Sequence, residues 1–381
     1  YELTQLDYVP VYWSINPLKT KDGADFFSNG DKYAGGTFIV PVEFIDPPIV
    51  ARIATWQSKG VIGVYTTSDV VVPIFDYISV FPRTVLDSDN AGLIEDYFDN
   101  AEIPTNWYRS GTPADLNACD DFYAWPHADP EWKTHKNIYN FVVNEGGYIW
   151  GGCHAVSVIE NLTNPGLPDT TLNFLTTLGL QCYSDGKCGP IPGKHDGNHT
   201  DPILFNNAYA ADPVAQYMGI TDGAQDNGSE AWYIPWPAPT NSRWNPGAKR
   251  LVYTSDGASP SEGVKIVYGH AYDDTTNGMV MYEGGHSLDN GPEEDAVAAQ
   301  RAFFNFMFLA GINNRPEILA TLSPVLVEGE DSTFSVSLVG NEGTPPFTYQ
   351  WLTNCPGTFS NPTDSLTTFN HDSTGFRHRC R

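Results

Sequence analysis

Cys153 sits in the stretch GGYIWGGCHAVSVIENL, Gly146 to Leu162. An apolar β-type run, Tyr148-Ile149-Trp150, leads into two glycines, the cysteine, a histidine and then helix-like spacing. That is the order of a nucleophile elbow: a strand enters, a tight turn projects the nucleophile above the sheet, and a helix leaves. A helix N-terminus lowers a thiol pKa and offers amide donors to an oxyanion. Gly151, Gly152 and Ala155 are the small neighbours such crowding demands. The competing reading is a buried, inert thiol, because free cysteine is among the most buried residue types.

A thiol nucleophile needs a base. His286, in GMVMYEGGHSLDN, follows one strand-like run and precedes the strongest helix pattern in the chain, so it is expected at the same sheet edge as Cys153. His154 is the neighbour of the thiol, and its backbone N–H, with that of Gly152, is the expected oxyanion donor. His270 is a second candidate base, at the end of VYGHAY. His127 and Asp129, in WPHADPEW, close the strand expected beside that of Cys153. Together with Glu283 and Asp289, which flank His286, they are candidate cleft residues; Asp129 alternatively caps a helix.

Cys119 precedes its strand, whereas Cys153 follows the next one. If those strands are parallel neighbours, the two thiols lie at opposite ends of the sheet, roughly 15 Å or more apart. A disulfide requires about 4–7 Å between Cα atoms. Cys153 is therefore expected to be a free thiol at the edge where open α/β sheets bind ligands. Cys182 with Cys188, around a turn, and Cys355 with Cys380, near the C-terminus, are disulfide candidates, the connectivity being unreadable from sequence.

Metal chemistry is less well supported. His195, Asp196, His199 and Asp201 fall in KHDGNHTDP, but Gly197 argues for a loop and no zinc spacing is present. DGADFFSNGD (22–31) and DSDN (87–90) offer oxygens to calcium without a full twelve-residue EF-hand loop, and solvated turns are the simpler reading. No other cofactor is expected. Trp232, Tyr233, Trp236 and Trp244 form either a platform for a sugar or peptide or packing for the region that holds them.

The elements that must position these residues are readable in outline. Residues 1–78 are β-rich and irregular, with strand-like runs AGGTFIVPVEF and GVIGVYTTSDVVVPIF around a helix in PPIVARIATWQSKG. From 79 to 315 strands alternate with helices, which predicts a mostly parallel sheet covered on both faces. YISVFPRTVLD, DDFYAWP and YIWGG read as strands. SDNAGLIEDYFDNAEI, DPEWKTHKNIYNFVVNEGG and GPEEDAVAAQRAFFNFMFLAGI read as helices, the last closed by Gly311. Residues from about 164 to 250 interrupt the rhythm as a large insertion. Residues 316–381 alternate with period two and regular turns, the pattern of an immunoglobulin-like β-sandwich, though shorter than the roughly 100 residues of a complete one.

The chain has 381 residues, 46 acidic against 20 basic, and a formal net charge of −26. Nucleic acid is thereby disfavoured as a partner. No apolar run is long enough to span a membrane. The cysteine pattern, low lysine content and sequons at Asn161, Asn198 and Asn227 point to an extracellular or cell-surface setting.

The cysteine elbow at Cys153 and the late strand-Gly-His element, GMVMYEGGHS, resemble the class I glutamine amidotransferase-like superfamily, in its intracellular-protease and trehalose-utilisation-type branches. The resemblance covers about 79–315. It implies a flavodoxin-like sheet with Cys153 as nucleophile and His286 as its partner. Where amidotransferases place Glu two residues after the histidine this chain has Leu288, with Asp289 one further on. Where they place Gly after the nucleophile it has His154. GTPPFTYQWLTNC further resembles the polycystic-kidney-type modules of microbial surface proteins.

Two functions follow as expectations. The first is cysteine-dependent hydrolysis of an amide or related acyl bond in a peptide or other substrate. The second is a non-catalytic surface-layer, fibre or adhesion subunit that keeps a degenerate amidotransferase-like fold and self-assembles through its Ig-like module. A carbohydrate-binding role for the tryptophan-rich segment is a third reading.

Overall fold

A computed structural model describes residues 1–127, 136–152, 155, 159–160, 171–177, 179, 195–196, 203–221, 231–233, 244–255, 262–284, 288, 291–314, 318–323, 333–340, 357–364 and 366–371. The chain divides into two compact units, Tyr1–Asn313 and Asn314–Arg381. Cys153, His154, Asp129, His286, Asp289 and the disulfide candidates Cys182, Cys188, Cys355 and Cys380 all lie outside the described residues.

The first unit is built on a mixed ten-stranded sheet. Its parallel half contains β6 (Thr84–Asp87), β7 (Tyr108–Gly111), β8 (Phe122–Trp125), β9 (Tyr148–Gly152) and β15 (Met279–Glu283). Their spatial order is β7-β6-β8-β9-β15, that is, 2-1-3-4-5 in chain order. Every residue of β6, β8 and β9 is buried, as parallel strands covered on both faces require. The antiparallel half continues from β15 through β14 (Glu262–His270) and β13 (Lys249–Ser255) to β11 (Ile203–Phe205). Since β13 holds one edge of β14 along its length, β12 (Ala231–Tyr233) must share the other edge with β15, beyond the carboxyl end of that strand. β10 (His195–Asp196) pairs with β12.

Helices cover both faces of this sheet. On one face lie α2 (Ala91–Asn100) and α4 (Glu293–Asn313), which bury Ile94, Tyr97, Phe98, Phe303 and Phe306 against Phe122, Trp150 and Met281. On the other, α3 (Asn137–Tyr139) and the π-helical turn Asn140–Asn144 bury Ile138, Phe141 and Val142 against Tyr123, Ile149 and Val280. Phe303 is the hub of the first layer. Its ring lies 5.2 Å from that of Trp150, 5.7 Å from Tyr97 and Phe122, and 5.1 Å from Phe304, mostly edge to face.

α4 is buried almost all round because a third layer covers it. β1 (Val11–Ser14), β4 (Thr37–Ile39) and β5 (Ile74–Ile78) form a small antiparallel sheet. Trp13 and Phe38 of that sheet pack on Phe308 of α4, at 6.1 and 6.0 Å. Gly311, expected to stop α4, lies inside it: a Cβ there would sit 3.1 Å from the Val80 carbonyl oxygen, so this glycine permits close approach of the chain entering β6. The expected helix at PPIVARIATWQSKG is α1 (Pro47–Ser58), capped by the Asp46 side chain accepting from Ile49 N–H at 3.0 Å.

Three local expectations differ from the structure. Residues 61–73 form no strand; Ile62 and Val71 are almost fully exposed, so their alternation has nothing to pack against. YISVFPRTVLD is split between β5 and β6, with Pro82, which has no N–H to donate, in the gap. DGADFFSNGD is a hairpin of β2 (Ala24–Ser28) and β3 (Asp31–Ala34), turning at Asn29-Gly30 with positive φ at both. Asp25 is spent there on Lys19 Nζ at 2.8 Å and the Gly36 N–H at 2.9 Å, not held open for a cation.

The second unit contains an antiparallel sheet of β16 (Ile318–Ser323), β17 (Thr333–Gly340), β18 (Gly357–Phe359) and β19 (Leu366–His371), in the order β16-β17-β19-β18. Among the described residues no helix is long and apolar enough to cross a membrane.

Because five aromatic rings converge on Phe303, those of Trp150, Tyr97, Phe122 and Phe304 with Phe98 at 6.1 Å, Phe303→Ala is expected to cost about 3–5 kcal/mol of stability, measured by denaturant unfolding of the full chain. A loss below about 1 kcal/mol would show that the hub is not where the core is held.

Candidate functional site

The parallel strands of the first unit all end at one edge, with Asp87, Gly111, Trp125, Gly152 and Glu283 as their last residues. Strand β9 runs through Gly152, and the chain is helical at the buried residues Ala155 and Ile159. The described residues flanking Cys153 are thus strand before it and helical after it. Cys119 is an exposed free thiol before β8, at the opposite edge.

Beside Gly152 in the sheet is Glu283. Paired residues of parallel strands share a face, so Glu283 points with Trp150 toward the α2–α4 layer. Its side chain is fully buried. Oε2 accepts from Trp150 Nε1 at 3.0 Å, and Oε1 has no hydrogen-bond partner among the described residues. Burial pushes this carboxyl up to about 8, the Trp150 hydrogen bond offsetting only part of the cost of a charge. At neutral pH it is mostly protonated, able to donate a hydrogen bond or a proton. Tyr217 is also buried without a hydroxyl partner, and burial with the Glu283 charge raises its phenol.

The segment that holds His286 is tied down on each side. Gly284 N–H donates to the Lys265 carbonyl at 2.6 Å, and Leu288 N–H donates to the Tyr97 hydroxyl at 2.8 Å. Lys265, fully buried, stands at this same edge, one residue before the Ile266 that pairs with Glu283. His270 is excluded: β14 runs antiparallel to β15, which carries His270 to the opposite edge, where Nδ1 lies 2.7 Å from the Asn277 carbonyl oxygen.

A second polar group occupies the switch point between β6 and β8, where neighbouring connections leave the sheet in opposite directions. Buried Asp87 accepts from the Tyr123 hydroxyl at 2.8 Å and from Asn90 Nδ2 at 3.2 Å. Asn90 also donates to the His127 carbonyl at 3.1 Å. Burial raises the Asp87 carboxyl above the usual range, against the lowering effect of its hydrogen bonds from Tyr123, Asn90 and the Asp89 backbone. Thus His127 contributes its backbone to this cluster. Sequence reasoning missed Tyr123 and Lys265, and read Asp87 only as an oxygen of the DSDN turn. For Asp87 the signal was its position, a carboxylate ending the apolar strand TVLD.

Asp87 and Glu283 are not a catalytic pair. Three strand spacings separate them, roughly 14 Å, and they stand on opposite faces. Paired carboxylates of glycoside hydrolysis lie about 5–9.5 Å apart. Among the described residues no group of three or more His, Cys, Asp or Glu side chains is assembled to hold a metal ion. Trp244, from the aromatic segment, packs against the core with the Arg250 guanidinium 5.0 Å over its ring.

No family model matches the chain, and no curated protein matches it. Its fold is weakly similar to GH42 beta-galactosidases of known structure. A catalytic mutant of the G. stearothermophilus enzyme Gan42B shares 11% identity at a TM-score of 0.31, over 76% of this chain and 40% of that one. The Rahnella sp. R3 enzyme shares 11% at 0.30, over 76% and 41%. The Bacillus circulans sp. alkalophilus enzyme shares 9% at 0.30, over 76% and 41%. The chain thus spans about two fifths of these proteins, and likeness at this level assigns neither fold family nor activity.

The buried carboxyls give stability a definite pH dependence. Glu283 and the fully buried Glu160, which accepts from Leu175 N–H and Thr176 Oγ1, are each pushed up to about 8 by burial. A carboxyl raised in the folded state favours folding below its unfolded value, about 4.5, and loses that contribution as pH climbs through 8. The melting temperature should therefore fall between pH 5 and 8.5, and Glu283→Gln should flatten the slope. An equal slope in Glu283→Gln would show that Glu283 does not titrate in that window.

Proposed function

We propose that the first unit is a cysteine-dependent hydrolase of an amide or related acyl bond, with a glutamine amidotransferase-like, flavodoxin-like sheet. The observation that carries this reading is the junction at Gly152. A central strand of a 2-1-3-4-5 parallel sheet ends there and gives way to helix, one residue before a cysteine and beside a buried, protonated carboxyl. That strand order is the flavodoxin-like one, which binds ligands outside the carboxyl ends of its strands.

In this mechanism the Cys153 thiolate attacks the substrate carbonyl and forms a C–S bond. Backbone N–H groups at His154 or Gly152 hold the developing oxyanion. His286 takes the thiol proton and returns it to the leaving amine as the C–N bond breaks. Water then cleaves the thioester, again with His286 as base, and frees the acid and the thiol. Glu283, neutral at the working pH, lines the site beside Gly152 as a hydrogen-bond donor. Asp129 and Asp289 are candidates to orient the histidine. The second unit, an antiparallel sheet, is read as an Ig-like module, and the setting as extracellular or cell-surface, which the cysteine content supports.

The test is turnover of a panel of chromogenic amides and thioesters by the full chain. Cys153→Ala should lower kcat at least a thousandfold, while Cys119→Ala leaves it unchanged. Turnover that survives Cys153→Ala would overturn the mechanism. A complete lack of turnover, joined to filament or layer formation by the purified chain, would instead favour a structural subunit.

A further inference from the structure

A cleft of about 590 Å³ opens between the N-terminal layer, the 216–218 segment and the outer side of α4. Its walls are largely apolar: Phe38, Met218 and Val297 line it, and all three are solvent-exposed, Val297 by 61%. Exposed apolar side chains gathered around a concavity mark a ligand site more often than scattered ones do. Gly36 forms part of the wall with φ of +72°, and a Cβ there would lie 2.4 Å from Trp13 Nε1. Glycine is thus required for the backbone to follow this contour.

One cationic group stands among these apolar walls. The Arg301 guanidinium lies 4.6 Å over the Phe38 ring and, among the described residues, has a single acceptor, the Gly36 carbonyl oxygen at a long 3.4 Å. Its Nε is buried without a hydrogen-bond partner, and no carboxylate pairs with it among the described residues. In a chain of net charge −26, an arginine left unneutralised is conspicuous. Burial lowers its pKa to about 10, which leaves it charged at neutral pH. A half-buried guanidinium whose Nε is withdrawn from water and meets no anion is costly, and its planar donor fork fits a carboxylate. Glu293 and Glu294 line the opposite end of the same cleft. Glu294 and Arg301 are seven residues apart on α4, about 10 Å along its axis.

We propose that this cleft binds a small molecule with an apolar body ending in a carboxylate, Arg301 taking the carboxylate and Phe38, Met218 and Val297 covering the body. The acidic far end disfavours a second anion there and suits a neutral or ammonium terminus. A free apolar tripeptide has this chemistry and about this length, and a medium-chain carboxylic acid shares all but the ammonium. The site does not depend on Cys153, and its test does not require turnover.

Isothermal titration of the full chain with tri-leucine, tri-leucine amide and octanoate separates the sources. Binding of at least one carboxylate is expected, weakened at least tenfold when tri-leucine is amidated, in Arg301→Gln, and in Val297→Asp. Val297 is exposed, so Val297→Asp keeps the fold while placing a like charge on the wall. Tri-leucine binding without octanoate identifies a peptide carboxylate; octanoate binding with equal or greater strength identifies a simple acid. The proposal is overturned if neither carboxylate binds at millimolar concentration, or if the amide binds as well as the acid. It is equally overturned if Val297→Asp and a folded Arg301→Gln both leave affinity unchanged.

Discussion

A strand buried on both faces can carry a polar side chain at low cost only where it ends. That constraint organises the first unit. Strands β8 and β9 are buried along their whole length, between the Phe303 layer on one side and the Phe141 layer on the other. Ionisable groups in the middle of such a sheet would need partners that the aromatic layers do not supply. Asp87 and Glu283 accordingly terminate their strands, at the edge where β9 turns to helix. The packing that makes the core thus also sets both carboxyls at one edge of the sheet.

The same burial sets their chemistry. Glu283 keeps one oxygen on Trp150 and leaves the other without a partner among the described residues, so protonation is the cheapest response to desolvation. Asp87 has donors of its own and is raised for the same reason, against their opposing effect. At the first hairpin a buried charge is instead paired. Lys19 and Asp25 are both almost fully buried, 2.8 Å apart, and Asp25 also accepts from two backbone N–H groups. This pair joins the first hairpin to the loop that follows β1, and Lys19 reaches on to Gln216.

Much of this was legible in the sequence. The apolar runs that became β8, β9 and β15 have strand length and are bounded by Gly, Pro or Asp, and α4 carries its acids in the first turn. The opposite-edge location of Cys119 followed from counting strands. Strand direction was harder. Residues 271–278 are too few for a parallel crossover, which needs a dozen or more, and that spacing was the available sign that β14 and β15 are antiparallel and that His270 faces away from the site. Gly311 shows the limit of punctuation rules: its role is contact with Val80, a long-range fact with no local signature. Asp87 looked like a turn residue because the hydroxyl that buries it, Tyr123, comes from another strand.

The central claim is that Cys153 stands at a reactive edge, not in inert packing. The most direct measurement is the pH dependence of iodoacetamide modification at Cys153, resolved from Cys119 by peptide mass spectrometry. The account predicts a thiolate at Cys153 that forms well below the free-cysteine value of about 8.5, a shift that weakens in His286→Ala, while Cys119 behaves as a free thiol. A Cys153 that resists modification, or titrates at or above the free value in both proteins, would contradict it.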